Sequence, residues 1–194
     1  GEPTLSSDLG KIIRGIKAMT DIPVAVLTNG TLLYREDVRG ELAQADLVLP
    51  SLDAVTPDVF KRINRPDCQL DMAEIIEGLK VFCSEFKGQV WLEVFLAAGV
   101  NDSEEELDKI YSVARTLKPH KLQLNSLDRP PAYEGVKPVS IETLEAVAAQ
   151  WKELNVEISK RIRKREEIAA FSNNLENNIL NTIKRRPLTI GDLE

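Results

Sequence analysis

Histidine is nearly absent from this sequence. His120 is the single one, and it stands at the start of an apolar run, at the wrong end for a ligand site in a parallel α/β sheet. Acid–base catalysis at neutral pH most often uses imidazole, so a histidine-based site is not expected and a structural or exposed His120 is. Cysteine is scarce as well, with Cys68 and Cys83 alone. Two thiols build neither a disulfide framework nor a zinc site, and the expectation is one surface thiol and one core thiol in a reducing cytoplasm. There is no P-loop and no G-x-G-x-x-G. No apolar run approaches the roughly 20 residues of a membrane helix, so no membrane partner is expected. There is no initiator Met and no signal-peptide pattern, which reads as a processed or cut N-terminus.

What is present is an ordinary globular composition, 43% hydrophobic and 29% charged, enough for one sizeable core. The net charge of -6 is unevenly spread. Residues 1–159 carry 17 basic and 26 acidic side chains, whereas 160–187 carry eight basic against three acidic. An acidic body of 1–159 followed by a basic helical extension of 160–194 implies two units with different partners. In the extension, "LENNILNTIKR" reads as a helix, and "RPLTIGDLE" as a turn and a capped start of another. That pattern fits the opening of a helix-turn-helix or winged-helix unit, and equally a simple docking helix. Phe171 is its one aromatic, short of the interleaved rings that stack on nucleic-acid bases.

The body alternates short apolar runs with amphipathic segments. "IPVAVLTNG", "ADLVLPSLDA", "QVWLEVFLAAGVND" and "HKLQLNSLDRPP" read as strands that turn polar at their C-terminal ends, with "VEIS" as a weaker fifth. Between them lie helical patterns, among them "SEEELDKIYSVARTLKP" with its capping box and "SIETLEAVAAQWKELN". Buried strands alternating with helices predict an α/β fold with a parallel sheet. Polar residues from every strand gathered on one edge favour a (β/α) barrel over a doubly wound sheet. Four strands and a weak fifth make that barrel partial.

Glu2, Thr28, Asn29, Ser51, Asp53, Asn125 and Asp128 all fall at that edge. Asp53 suits a ribose diol and Glu2 an ammonium group. The set reads as a site for a nucleoside-like or amino-acid-like ligand, with the difficult chemistry supplied by a cofactor. An aldolase-type barrel is a weaker alternative, since no catalytic Lys or His stands at a strand end.

In order along the chain, "GEPT", "TNGTLL", "LVLPSLDA" and "VFLAAGVNDSEEEL" resemble the radical S-adenosylmethionine (radical SAM) enzymes over residues 1 to about 159. The resemblance implies a truncated TIM-like barrel that binds S-adenosylmethionine. Gly1, Glu2 and Pro3 would be the remnant of the loop that holds the cofactor's amino group. Thr28 and Asn29 would lie near the site, Ser51 and Asp53 would contact ribose and carboxylate, and Asn125 would lie near the adenine. Segments such as "TPDVFKRINRP" and "LQLNSLDRPPAYEGVKPVS" further resemble Fe–S oxidoreductases grouped with wyosine-type tRNA-modifying enzymes. Arg129 and Tyr133 are candidate substrate residues on this reading, the substrate being unassigned and of a class that includes RNA or a protein.

The family's C-x-x-x-C-x-x-C loop, which holds a [4Fe–4S] cluster, is not in this sequence. Its ligands are expected upstream of Gly1. The expectation is therefore a fragment that is inactive by itself and that self-associates through an exposed sheet edge. A nucleic-acid-binding or regulatory module using the basic extension is the alternative.

Overall fold

A computed structural model describes residues 1–127 and 135–159. A 3₁₀ turn, Pro3–Leu5, is followed by α1 (Leu9–Met19), β1 (Ala25–Thr28), α2 (Glu36–Leu42), β2 (Leu47–Pro50), α3 (Pro57–Ile63) and α4 (Met72–Glu85). Then come β3 (Gln89–Ala98), α5 (Glu104–Leu117), β4 (Lys121–Ser126), β5 (Lys137–Pro138), α6 (Ile141–Gln150) and β6 (Val156–Ile158).

Among the described residues, side-chain caps set three of the six α-helix starts. Asp71 accepts from the N–H groups of Ala73 and Glu74 at the head of α4. Ser103 and Ser140 do the same for Glu106 and Thr143 at α5 and α6, the caps that Ser-x-x-Glu and Ser-x-x-Thr spacing predicts. Three glutamates in the first turn of α5 also complement the positive end of its dipole. Lys118 closes that helix in the left-handed region at φ 48°.

The sheet runs β1-β2-β3-β4-β6, all parallel. The order proceeds one way without reversing, which is barrel winding and not the doubly wound kind. The weak fifth strand of the sequence is β6. One element departs from the expected all-parallel pattern: β5 pairs antiparallel with the end of β3, Ala97 opposite Pro138 and Ala98 opposite Lys137. Two residues after a proline-rich segment carry no periodicity from which a strand is legible.

Register decides which side chains share a face. Val26, Val48, Val90, Leu92, Val94, Leu96, Leu122 and Leu124 lie on one side, all buried in the core with residues of the helices. The opposite side carries Leu27, Leu49, Ser51, Trp91, Glu93, Phe95, Gln123 and Asn125, none of them fully buried. Leu27, on end strand β1, is 62% exposed. Among the described residues the sheet therefore has a helix-covered apolar face and a mixed face that no described helix covers.

His120 serves the fold, as the sequence implies. Its Nδ1 accepts from the Val90 N–H at 3.1 Å, and its own N–H donates to the Val90 carbonyl, where β4 starts beside β3. Among the described residues no helix is long and apolar enough to cross a membrane. The basic extension 160–194, its proposed winged-helix start, and Asp128, Arg129 and Tyr133 lie outside the described residues.

Candidate functional site

Three loops and one strand meet at the C-terminal end of the sheet. The first is the opening loop. Glu2 Oε1 accepts from the Thr4 N–H at 3.0 Å, the Thr4 hydroxyl at 2.7 Å and the Thr28 hydroxyl at 2.6 Å, while Oε2 accepts from the Asn29 N–H at 2.7 Å. Burial pushes this carboxyl up, but the donors from Asn29, Thr28 and Thr4 outweigh it and hold the group below the usual glutamate range. Glu2 thus anchors Gly1–Pro3 onto the end of β1 as an ionised group. Four donors already face it, so its first role is to hold the loop.

The turn after β1 is built the same way. Thr28 Oγ1 accepts from the Gly30 N–H at 3.1 Å, and Asn29 Oδ1 accepts from the N–H and hydroxyl of Thr31. Gly30 takes φ +74°, where a side chain would be strained.

The second loop follows β2. The Ser51 N–H donates to the Thr28 carbonyl at 3.1 Å, and the Leu52 N–H to the Glu93 carbonyl at 2.8 Å, so the loop continues the sheet for one more step. Asp53 Oδ1 accepts from the Phe95 N–H at 2.9 Å and Oδ2 from the Asn64 amide at 2.8 Å. Burial pushes the Asp53 carboxyl up to about 6, against those two hydrogen bonds, and the nearby Glu93 charge adds to the rise. One lone-pair direction on each oxygen is left for a ligand hydroxyl.

The third loop follows β3. Asn101 is fully buried. Its Oδ1 accepts from the Ala97 N–H at 2.8 Å, and its Nδ2 donates to the carbonyls of Asp53 at 2.8 Å and Phe95 at 2.7 Å. Glu106, 2% exposed, accepts from the N–H groups of Val55 at 2.6 Å and Thr56 at 2.9 Å. Burial raises its carboxyl, but Thr56 and Val55 outweigh that and hold it low. Asn101 thus ties the loop after β2 to the turn after β3, and Glu106 ties it to the first turn of α5.

On the uncovered face the three inner strands meet at Glu93. Ser51 Oγ donates to Glu93 Oε2 at 3.2 Å, and Asn125 Nδ2 donates to Glu93 Oε1. Ser51 and Asn125, chosen from the sequence by position alone, are therefore brought together. Sequence reading missed Glu93 itself. The signal that marks it is a lone charge inside the apolar run "VWLEVFLA". Further down the same face Lys121 Nζ lies 4.1 Å from the centre of the Trp91 ring and 2.6 Å from Glu157.

Two groups can be tested against these residues. No cluster of three or more His, Cys, Asp or Glu that would hold a metal occurs among the described residues. Cys68 is exposed, and burial alone pushes the half-buried Cys83 thiol up to about 12, the reverse of what a metal-ligating thiolate needs. The described residues do not fit an iron–sulfur cluster. They do fit a nucleoside: hydroxyl, amide and carboxylate groups line an uncovered face at the C-terminal ends of parallel strands.

Comparison with known proteins agrees. Residues 1–110, more than half of the chain, match the model of the radical SAM superfamily. A protein from Methanocaldococcus jannaschii described as UPF0026 protein MJ1312 is 32% identical over 192 residues, covering 97% of this chain and 59% of that protein. One from Brachyspira hyodysenteriae described as GTPase Obg is 41% identical over 98% of this chain but 28% of its own length. A probable GTP 3′,8-cyclase of Saccharolobus solfataricus matches in part, 41% identical over 80 residues, 41% of this chain and 25% of that protein. The chain thus spans at most about 60% of the length of these relatives. The descriptions of these relatives do not confirm the wyosine-type likeness. In fold, the chain is similar to a domain of pyruvate-formate lyase-activating enzyme from Bacteroides vulgatus, with TM-score 0.65 and 20% identity over 82% of this chain and 95% of that one. The one-way parallel sheet, the polar row at its C-terminal edge and the family match agree that this chain belongs to the radical SAM superfamily, whose cofactors are S-adenosylmethionine and a [4Fe–4S] cluster.

Proposed function

We propose that the whole protein of which these residues form the core is a radical SAM Fe–S oxidoreductase acting on an unassigned substrate. The observation that carries this reading is the Ser51–Glu93–Asn125 row across β2, β3 and β4, on the open face of a sheet of this family. Glu2 would steady the loop around the methionyl amino group, Thr28 and Asn29 would shape the adjoining turn, and Ser51, Asp53 and Asn125 would hold the adenosyl part. S-adenosylmethionine held by these residues would supply the hydrogen-abstracting chemistry. The barrel's task is to orient the two ligands and keep water out. With two cysteines, the 194 residues by themselves lack the three thiolates the reaction needs and do not cleave the cofactor.

The test is anaerobic reconstitution of the full-length protein with iron and sulfide, followed by reduction in the presence of S-adenosylmethionine. About four irons per chain and released 5′-deoxyadenosine are expected. A full-length protein that takes up no iron and leaves the cofactor intact sinks the proposal. The nucleic-acid-binding alternative rests on residues 160–194, outside the described residues, and the family match speaks for the enzyme.

The isolated 194-residue chain also self-associates on this reading. Its support is end strand β1 with Leu27 62% exposed, and a stripe on α1 where Ile12 is 51%, Ile16 41% and Met19 87% exposed. Light scattering over a concentration series checks it, and a monomer throughout counts against it.

A further inference from the structure

A carboxylate can only accept hydrogen bonds, and at Glu93 that rule fixes the orientation of two neighbours. Ser51 has one hydroxyl hydrogen and gives it to Glu93 Oε2 at 3.2 Å. What its oxygen offers any ligand is then a lone pair. Asn125 faces Glu93 Oε1 with its Nδ2. The flipped amide would set a carbonyl oxygen against a carboxylate oxygen, so Glu93 selects this orientation and turns Asn125 Oδ1 away from itself. Register keeps the three on one face: Ser51 bridges to Glu93, and Asn125 stands opposite Phe95, two positions further along β3.

We infer that Glu93 is a positioning residue that sets the hydrogen-bond polarity of the nucleoside site, so that Ser51 and Asn125 both present oxygens and select a ligand presenting donors. A ribose hydroxyl and the exocyclic amino group of adenine are such donors. A base with a carbonyl at that place would meet Asn125 oxygen to oxygen. This deepens the proposed function and rests on it.

The experiment compares binding of S-adenosylhomocysteine and S-inosylhomocysteine, which differ in that exocyclic group and in whether the adjacent ring nitrogen carries a hydrogen, to the anaerobic, cluster-loaded full-length protein by equilibrium dialysis. The wild type is expected to prefer the adenosyl ligand by about tenfold or more, because the wrong partner leaves a polar group unpaired. Glu93→Ala frees the Asn125 amide to turn over, and the preference falls to within about twofold. Because Glu93 acts through Asn125, adding Glu93→Ala to Asn125→Ala changes the preference no further. Far-UV circular dichroism and thermal melts confirm that each variant is folded. A wild type that binds both ligands equally overturns the inference with no variant needed. So does a folded Glu93→Ala that keeps the preference, or additive effects in the double variant. A wild type that binds neither ligand sinks the proposed function instead.

Discussion

The Asn101 amide donates to the backbone carbonyl of Asp53 at 2.8 Å, which fastens the turn after β3 to the loop after β2. Asn101 is fully buried, and its two other hydrogen bonds go to Ala97 and Phe95. The edge that carries the candidate site is thus held from inside by this side chain together with Glu106. Asn101→Ala strands an N–H and two carbonyls in a buried place and is expected to cost about 3 kcal/mol. Urea denaturation reads it, and a loss well under 1 kcal/mol would mean that the loops hold without this tie.

Asp53 gives a pH signature. Its folded carboxyl titrates near 6, above the value of 3.8 expected when exposed. The folded state therefore binds the proton more tightly than the unfolded one, and the wild type loses stability as pH rises from about 4 to 6. Asp53→Asn has no such proton to release. Its melting temperature is expected to gain on the wild type with rising pH and to hold that gain at pH 8, while the gap closes near pH 4. A gap that does not vary with pH would show that burial does not govern this group.

Glu106 behaves oppositely. Its carboxyl is held low, so the stability it confers is present above the unfolded value of 4.5 and is lost as pH falls through the folded one. Glu106→Ala leaves the Val55 and Thr56 N–H groups without their acceptor and is expected to cost about 2–3 kcal/mol at neutral pH. Glu106→Gln keeps an oxygen there and recovers most of it. Chemical denaturation of both variants at pH 7 and pH 4 checks the order. Equal losses for Ala and Gln would contradict the hydrogen-bond account.

Gly78 lies where α4 meets the chain before α2. A Cβ there would sit 2.2 Å from the Tyr34 nitrogen and 2.5 Å from its Cα. Backbone cannot yield as a flexible side chain does, so Gly78→Ala is expected to destabilise by about 3 kcal/mol despite its better helix propensity. A thermal melt that matches the wild type would mean that α4 is free to shift.

Much of the fold was legible because its signals are local. Ser103 and Ser140 cap helices from within their own segments, and runs such as "VAVLTN" and "DLVLPS" end in polar residues whatever lies beside them. Four ordered motifs were enough to name the family. Glu93 was not singled out, because a glutamate inside an apolar strand has no meaning until register shows which face it takes and which neighbours reach it. Asn101 and Glu106 escaped notice for the same reason: their partners lie some fifty positions back in the chain.

The sequence by itself determined the order of strands and helices and the single polar edge, which follow from hydrophobic period, caps and residue type acting over a few residues. The kind of cofactor was implied by the family that its ordered motifs resemble. Only tertiary structure decided that Glu2 holds a loop, that Asp53 is tied to Phe95 and Asn64, and that Ser51 and Asn125 meet at one carboxylate. Hydrogen bonds between distant residues depend on register and on which face of the sheet the helices leave uncovered.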